Sequence, residues 1–201
     1  MNRTEFLTDP QLRPPGGRVV WRNVSDGVSI RFGFWPKADA KGTVLILAGR
    51  TEFIEKYGPA AIDFAQRGYA CASIDWRGQG LSDRLLQDPS IGHVREFQDY
   101  QIDLQAFVEE AKNTGMPEPF YLIGHSMGGA IGLRALISGI DVKAAVFSAP
   151  MWGINLSPPG APVVPVDVGE VGDDGGEGGG QPLGGGQAGG VEKVDAVVAD
   201  D

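Results

Sequence analysis

Four short, mostly apolar runs, at residues 43–48, 69–75, 121–123 and 143–149, constrain this chain most. Runs of this length without polar alternation fit strands buried on both faces, the condition of a parallel sheet under helices. Segments with helical spacing lie between them. Tyr57, Ala60, Ala61, Phe64 and Ala65 form one stripe, closed by Gly68 as a C-cap. Phe97, Tyr100, Leu104, Phe107, Val108 and Ala111 form the clearest amphipathic stripe, with Glu96, Asp99 and Asp103 near its positive end. Residues 127–136 are apolar nearly all round, which predicts a central helix. Crossovers this long allow right-handed βαβ units, so the expected class is α/β with a doubly wound, mostly parallel sheet. Upstream, residues 18–23 and 28–35 flank the turn signal Ser25-Asp26-Gly27 and predict a hairpin. Residues 1–17, with Pro10, Pro14 and Pro15, predict an irregular arm.

The third apolar run ends in Gly124-His125-Ser126-Met127-Gly128-Gly129-Ala130. A serine between a strand and a helix, with glycine two residues to either side, has the form of a nucleophile elbow. The sharp corner strains the backbone and stands the hydroxyl clear of the sheet. Gly124 and Gly128 have no side chain because the helix start passes close to the strand. The helix N-terminus offers free N–H groups to developing negative charge. Ser126 is therefore the candidate nucleophile toward a carbonyl carbon.

Composition divides the chain. The last 44 residues, from Pro158, hold 13 glycines, nine Asp or Glu, one lysine and no aromatic residue. The net charge of −9 belongs almost entirely to this segment, so it says nothing about a substrate. No basic patch points to nucleic acid. The single cysteine, Cys71, excludes an intrachain disulfide and suits a reducing, cytoplasmic setting. The polar, proline-bearing start does not read as a signal peptide, and no apolar run approaches membrane-spanning length. The expected organisation is an arm at 1–17, a partial domain at 18–157, and a disordered Gly-rich acidic tail at 158–201. From Val166 onward, 31 of 36 residues are Gly, Ala, Val, Asp or Glu, whose codons all begin with G. A reading-frame slip near residues 155–162 of a GC-rich gene accounts for that bias. A genuine flexible acidic tail is the alternative.

Several ordered motifs accompany the elbow. They are Gly49-Arg50-Thr51-Glu52-Phe53-Ile54-Glu55-Lys56-Tyr57, Asp75-Trp76-Arg77-Gly78-Gln79-Gly80-Leu81-Ser82, Gly92-His93, Phe97-Gln98-Asp99-Tyr100 with Asp103-Leu104, and Ser148-Ala149-Pro150-Met151. From about Val28 to Trp152 the set resembles the α/β-hydrolase superfamily, in its lysophospholipase and monoacylglycerol-lipase-like branch of serine-aminopeptidase-type hydrolases. The resemblance implies the N-terminal part of an eight-stranded, mostly parallel sheet, here lacking the last strands and the cap. It implies hydrolysis of small acyl esters or lysolipids with no metal or organic cofactor, and at most peripheral membrane contact. Ser126 would be the nucleophile, and the backbone N–H groups of Met127 and Arg50 the oxyanion hole. The branch commonly has His-Gly where this chain has Ala48-Gly49.

The triad order of such enzymes is Ser, then Asp, then His. No histidine follows Ser126 in this chain. His93 matches a rim or structural position, and His125 is expected to turn away from the serine. Asp167, Asp173, Asp174 and Asp195 follow the serine without a preceding strand, so none is expected as the triad acid. An esterase by ancestry and an inactive pseudo-hydrolase or interaction protein both remain open. Asp75 with Arg77 is expected as a structural pair holding its loop, Ser82 as a loop or cap serine, and Glu52 and Glu55 as solvated carboxylates. Gly78 and Gly80 lack the lysine of a phosphate loop. The strand at 143–149 is expected to leave an open sheet edge prone to self-association.

Overall fold

The computed structural model describes residues 5–154, 164–165 and 195–199. A hairpin of β1 (Arg18–Asn23) and β2 (Ser29–Trp35) opens the sheet. The sheet continues through β3 (Thr43–Leu47), β4 (Ala70–Asp75), β5 (Phe120–His125), β6 (Ala144–Ser148) and β9 (Asp195–Ala199), in the spatial order β1-β2-β4-β3-β5-β6-β9. The two pairings made by β2 are antiparallel; those from β4 through β9 are parallel. A separate short pair, β7 (Gly153–Ile154) and β8 (Val164–Pro165), is antiparallel.

Three helices connect the parallel strands: α1 (Gly58–Gln66), α2 (Asp99–Asn113) and α3 (Met127–Ile137). Each lies within two residues of its expected bounds at either end. A 3₁₀ turn at Ile54–Tyr57 leads into α1, and Gly68, at φ +93°, ends it as expected, with its N–H on the Ala65 carbonyl.

Alternation along the strands sorts the core into two layers. Leu45 and Leu47 join Phe32, Phe34, Phe107 and Ile131 on the face covered by α2 and α3. Val44 and Ile46 face Trp35, Ile54, Ala61 and Cys71 on the α1 side. Every residue of β3 and β4 is buried, including Ser73, whose hydroxyl donates to the Ile46 carbonyl, and Asp75, which pairs with Arg31. The arm is irregular apart from a short turn at Pro10–Leu12, but it is docked: Phe6 stacks on Trp35 with ring centroids 5.2 Å apart.

The edge at β6 departs from expectation. Asp195–Ala199 pairs along β6 in parallel, register Ala144↔Asp195 to Ser148↔Ala199, so β6 is not the outer strand. Its backbone groups find partners within the chain, which answers the demand of an unpaired strand edge. One face of β6 still lacks cover among the described residues, with Val146 38 % exposed. Apart from β8 and β9, residues 158–201 lie outside the described residues, Asp167, Asp173 and Asp174 among them.

Candidate active site

The elbow sits at the C-terminal edge of the sheet, between β5 and α3. Ser126 has φ +50° and ψ −117°, a conformation costly for any residue with a side chain. Three hydrogen bonds hold it there. The Ser126 N–H donates to the Ser148 carbonyl at 3.0 Å, and the Ser126 carbonyl accepts from Gly129 at 2.9 Å and Met151 at 3.0 Å. The glycines are explained by contact. A β-carbon on Gly124 would lie 2.8 Å from the Gly129 α-carbon, and one on Gly128 would lie 2.1 Å from the Leu47 carbonyl oxygen. Gly128 thus lets α3 start against the end of the neighbouring strand β3.

Beside the elbow opens a cleft of about 750 Å³ whose walls include Arg50, Gln79, His93, Phe97, Met127 and Met151. The two backbone positions singled out with Ser126, Arg50 and Met127, therefore border one space. Gln79 ties their loops together: its carbonyl oxygen accepts the Thr51 N–H, and its amide nitrogen lies 3.9 Å from the Met127 sulfur. Thr51, at φ +63°, is strained there much as Ser126 is.

Beneath the loop, Glu52 accepts from the Gly49 N–H at 2.7 Å and from the Lys56 ammonium and the Tyr57 hydroxyl. Burial pushes its pKa up, but the donors outweigh burial and hold it below the ordinary glutamate value. His125 turns toward this cluster, with Nε2 3.9 Å from Glu52 Oε1. His93 lines the cleft, and its backbone packs against Gly78, where a β-carbon would come 2.5 Å from the His93 oxygen.

Glu52 and Glu55 are buried, contrary to the expectation of solvated carboxylates. Glu55 pairs with Arg31, which is fully enclosed and also reaches Asp75 at 3.0 Å. Asp75 in turn accepts the Ile54 N–H at 2.8 Å and the Leu81 N–H at 2.9 Å, so it anchors the loops after β3 and β4. A β-carbon on Gly80 would fall 2.2 Å from its carboxyl carbon, so that glycine serves the Asp75 contact rather than phosphate. Ser82 bridges the same region, donating to the Asp75 carbonyl at 2.6 Å and accepting the Arg31 N–H at 2.9 Å.

Asp75 and Arg77 both hold loops, but not through each other. Arg77 grips Asp103 with its Nε and Nη2 at 3.0 and 2.8 Å, and Asp26 at 2.7 Å. Asp103 is fully buried in that pair rather than serving only as charge at a helix start. Arg31 was not legible as a site residue, because its partners lie 24 and 44 positions away. Asp195 begins β9 opposite Ala144, at the end of the sheet away from the elbow, so its register keeps it from the serine. Among the described residues no cluster of three or more His, Cys, Asp or Glu is arranged to hold a metal, and no helix is long and apolar enough to cross a membrane.

The model of the family described as serine aminopeptidase, S33, matches residues 38–167. The chain belongs to the serine aminopeptidase, S33 family. It is thereby an α/β-hydrolase of the lysophospholipase and monoacylglycerol-lipase-like branch. The S33 match continues beyond Trp152, where the sequence resemblance was expected to fade. This S33 chain is 39% identical over 135 residues to lysophospholipase L2 of Escherichia coli K12, covering 67% of the chain and 40% of that protein. It is 32% identical over 125 residues to the probable lysophospholipase L2 of Haemophilus influenzae, covering 62% and 39%. A soluble variant of monoglyceride lipase from Saccharomyces cerevisiae, solved with a substrate analog, superposes with a TM-score of 0.54 at 26% identity, covering 66% of the chain and 44% of that structure. An esterase of Pyrococcus furiosus shares the fold at 20% identity, with a TM-score of 0.58 and coverage of 74% and 54%. The chain spans about two fifths of the length of the lysophospholipases it matches.

Proposed function

We propose that this chain carries the nucleophile half of a serine carboxylic-ester hydrolase acting on small acyl esters of the lysolipid or monoacylglycerol class. The strained Ser126 at a strand-to-helix corner, beside a cleft bordered by both Met127 and Arg50, carries the reading. Ser126 Oγ attacks the ester carbonyl, its proton passes to a base, and the alcohol departs to leave an acyl-serine that water hydrolyses. The carbonyl oxygen becomes negative as the bond forms. Met127, first residue of α3, has no carbonyl a turn earlier for its N–H, which is free to donate to that oxygen. The Arg50 N–H is the second donor. No metal or organic cofactor is needed, and the setting is cytoplasmic, with at most peripheral contact with lipid. Self-association, if it occurs, uses the outer side of β9.

A second reading rests on a specific observation. Both histidines precede or adjoin Ser126, and among the described residues neither is hydrogen-bonded to it: His125 faces Glu52, and His93 borders the cleft. On this reading the 201-residue chain is an inactive pseudo-hydrolase whose elbow is a relic. Mass spectrometry after exposure to a fluorophosphonate separates the two. A single adduct on Ser126 supports the hydrolase; a folded chain that stays unlabelled supports the relic.

A further inference from the structure

We propose that the Arg50 side chain makes the cleft prefer esters bearing a phosphate over neutral glycerides, an inference that rests on the ester-hydrolase reading and narrows its substrate. The cleft's charge pattern points to it. Residues 1–157 hold 17 acidic and 16 basic residues, yet the cleft wall holds two arginines and one histidine and not a single aspartate or glutamate.

The two arginines are not equivalent. Arg84 is committed to the loop, donating to the carbonyls of Pro89 at 2.9 Å, Ser82 at 3.2 Å and Gly80 at 2.9 Å. Arg50 is exposed at the mouth, and among the described residues no carboxylate lies within 4.0 Å of its guanidinium. Its charge is felt at the Tyr100 phenol in the cleft wall, whose pKa burial and Asp103 raise while the Gln79 hydrogen bond and Arg50 work against the rise.

The remaining wall is largely apolar, with Phe53, Ile91, Val94, Phe97, Met127 and Met151. An apolar trough with one guanidinium whose donors the described residues leave unused matches an amphiphile with an acyl chain and a single anionic group. In a lysophospholipid the phosphate stands three carbons from the ester oxygen, on the side opposite the acyl chain. A guanidinium binds phosphate through paired, charge-assisted hydrogen bonds. A monoacylglycerol offers only hydroxyls there and gains nothing from the charge.

Non-hydrolysable ethers test this without needing turnover. Calorimetric titration would compare 1-octylglycerol 3-phosphate with 1-octylglycerol, both below their micellar range. The unmodified chain is expected to prefer the phosphate about tenfold, the discrimination of one partly exposed charge-assisted contact. Arg50→Gln should shrink that ratio to within about twofold, and Arg50→Lys should restore most of it. Millimolar inorganic phosphate should not displace the ether phosphate. A ratio unchanged in Arg50→Gln, no preference in the unmodified chain, or full displacement by free phosphate would overturn the assignment. The ethers should bind Ser126→Ala equally well, so absence of hydrolysis bears on the ester-hydrolase reading and leaves this ratio to decide Arg50.

Discussion

Glu52 accepts the N–H of Gly49 at 2.7 Å, so a buried carboxylate fixes the loop that carries Arg50 into the cleft. Because the donors keep the folded pKa of Glu52 below its unfolded value, its stabilisation is full above the unfolded value and fades as pH falls through the folded one. Glu52→Gln should cost about 1–3 kcal/mol at neutral pH, as a buried charged acceptor is lost. Denaturant unfolding across pH should show the gap between the two proteins closing on acidification from about pH 4.5 downward. A gap that is constant with pH would refute the role given to the carboxylate.

Gly128→Ala should be severe, because the added carbon would sit 2.1 Å from the Leu47 carbonyl oxygen and backbone has to move. The expected loss is at least about 3 kcal/mol, the upper range for a core clash, read as a large drop in melting temperature. Gly139→Ala is the control. There a β-carbon meets nothing within 4 Å, and only the φ of +83° opposes it.

Ser126 itself is held at a positive φ, so its replacements should not be equal. Ser126→Gly relieves the strain, whereas Ser126→Ala keeps it. The glycine variant should therefore be about 1 kcal/mol more stable than the alanine one by thermal or chemical unfolding. Equal stabilities would mean that the corner stores no strain.

Arg31 joins Glu55 and Asp75 in a fully enclosed ion cluster. Arg31→Met leaves two buried carboxylates facing each other without a cation and should destabilise by about 3–5 kcal/mol. Replacing the surface partner of a more open pair, Arg22→Met opposite Glu109, should cost about 1 kcal/mol or less. Comparable losses at both sites would contradict the account of the cluster.

The parts of this molecule that were legible in its sequence share a physical reason. Thr43–Leu47 and Ala70–Asp75 are mostly apolar, with Thr43, Ser73 and Asp75 the exceptions, so burial on both sides of a sheet was the expected outcome. The elbow was legible because its glycines answer a local steric demand between residues close in sequence. The ion pairs were not, because which carboxylate meets Arg31 or Arg77 depends on strand register and on helix placement across many intervening residues. Nearness in sequence suggested Asp75 with Arg77, yet Asp75 ends β4 against Arg31 while Arg77 reaches α2 at Asp103. Glu52 likewise read as solvated until the loop folded its carboxylate back under Gly49. The pairing of Asp195–Ala199 with β6 was hidden by a composition that suggests no structure at all.

Loss of Gln79 should separate the two sides of the cleft. Gln79→Leu removes the acceptor for the Thr51 N–H and the amide beside the Met127 sulfur while keeping the volume. If the Arg50 and Met127 N–H groups act together, fluorophosphonate labelling of Ser126 should slow by about tenfold or more, within the range for disturbing one oxyanion donor. Ile91 borders the same cleft and takes part in neither contact, so Ile91→Val serves as the comparison.

The most direct measurement is hydrolysis of a short-chain chromogenic ester by the 201-residue chain beside its Ser126→Ala variant, with both shown to be folded. The hydrolase account predicts a burst or turnover above background that disappears in the variant. Equal background rates would contradict it and leave the elbow as a fold feature without chemistry.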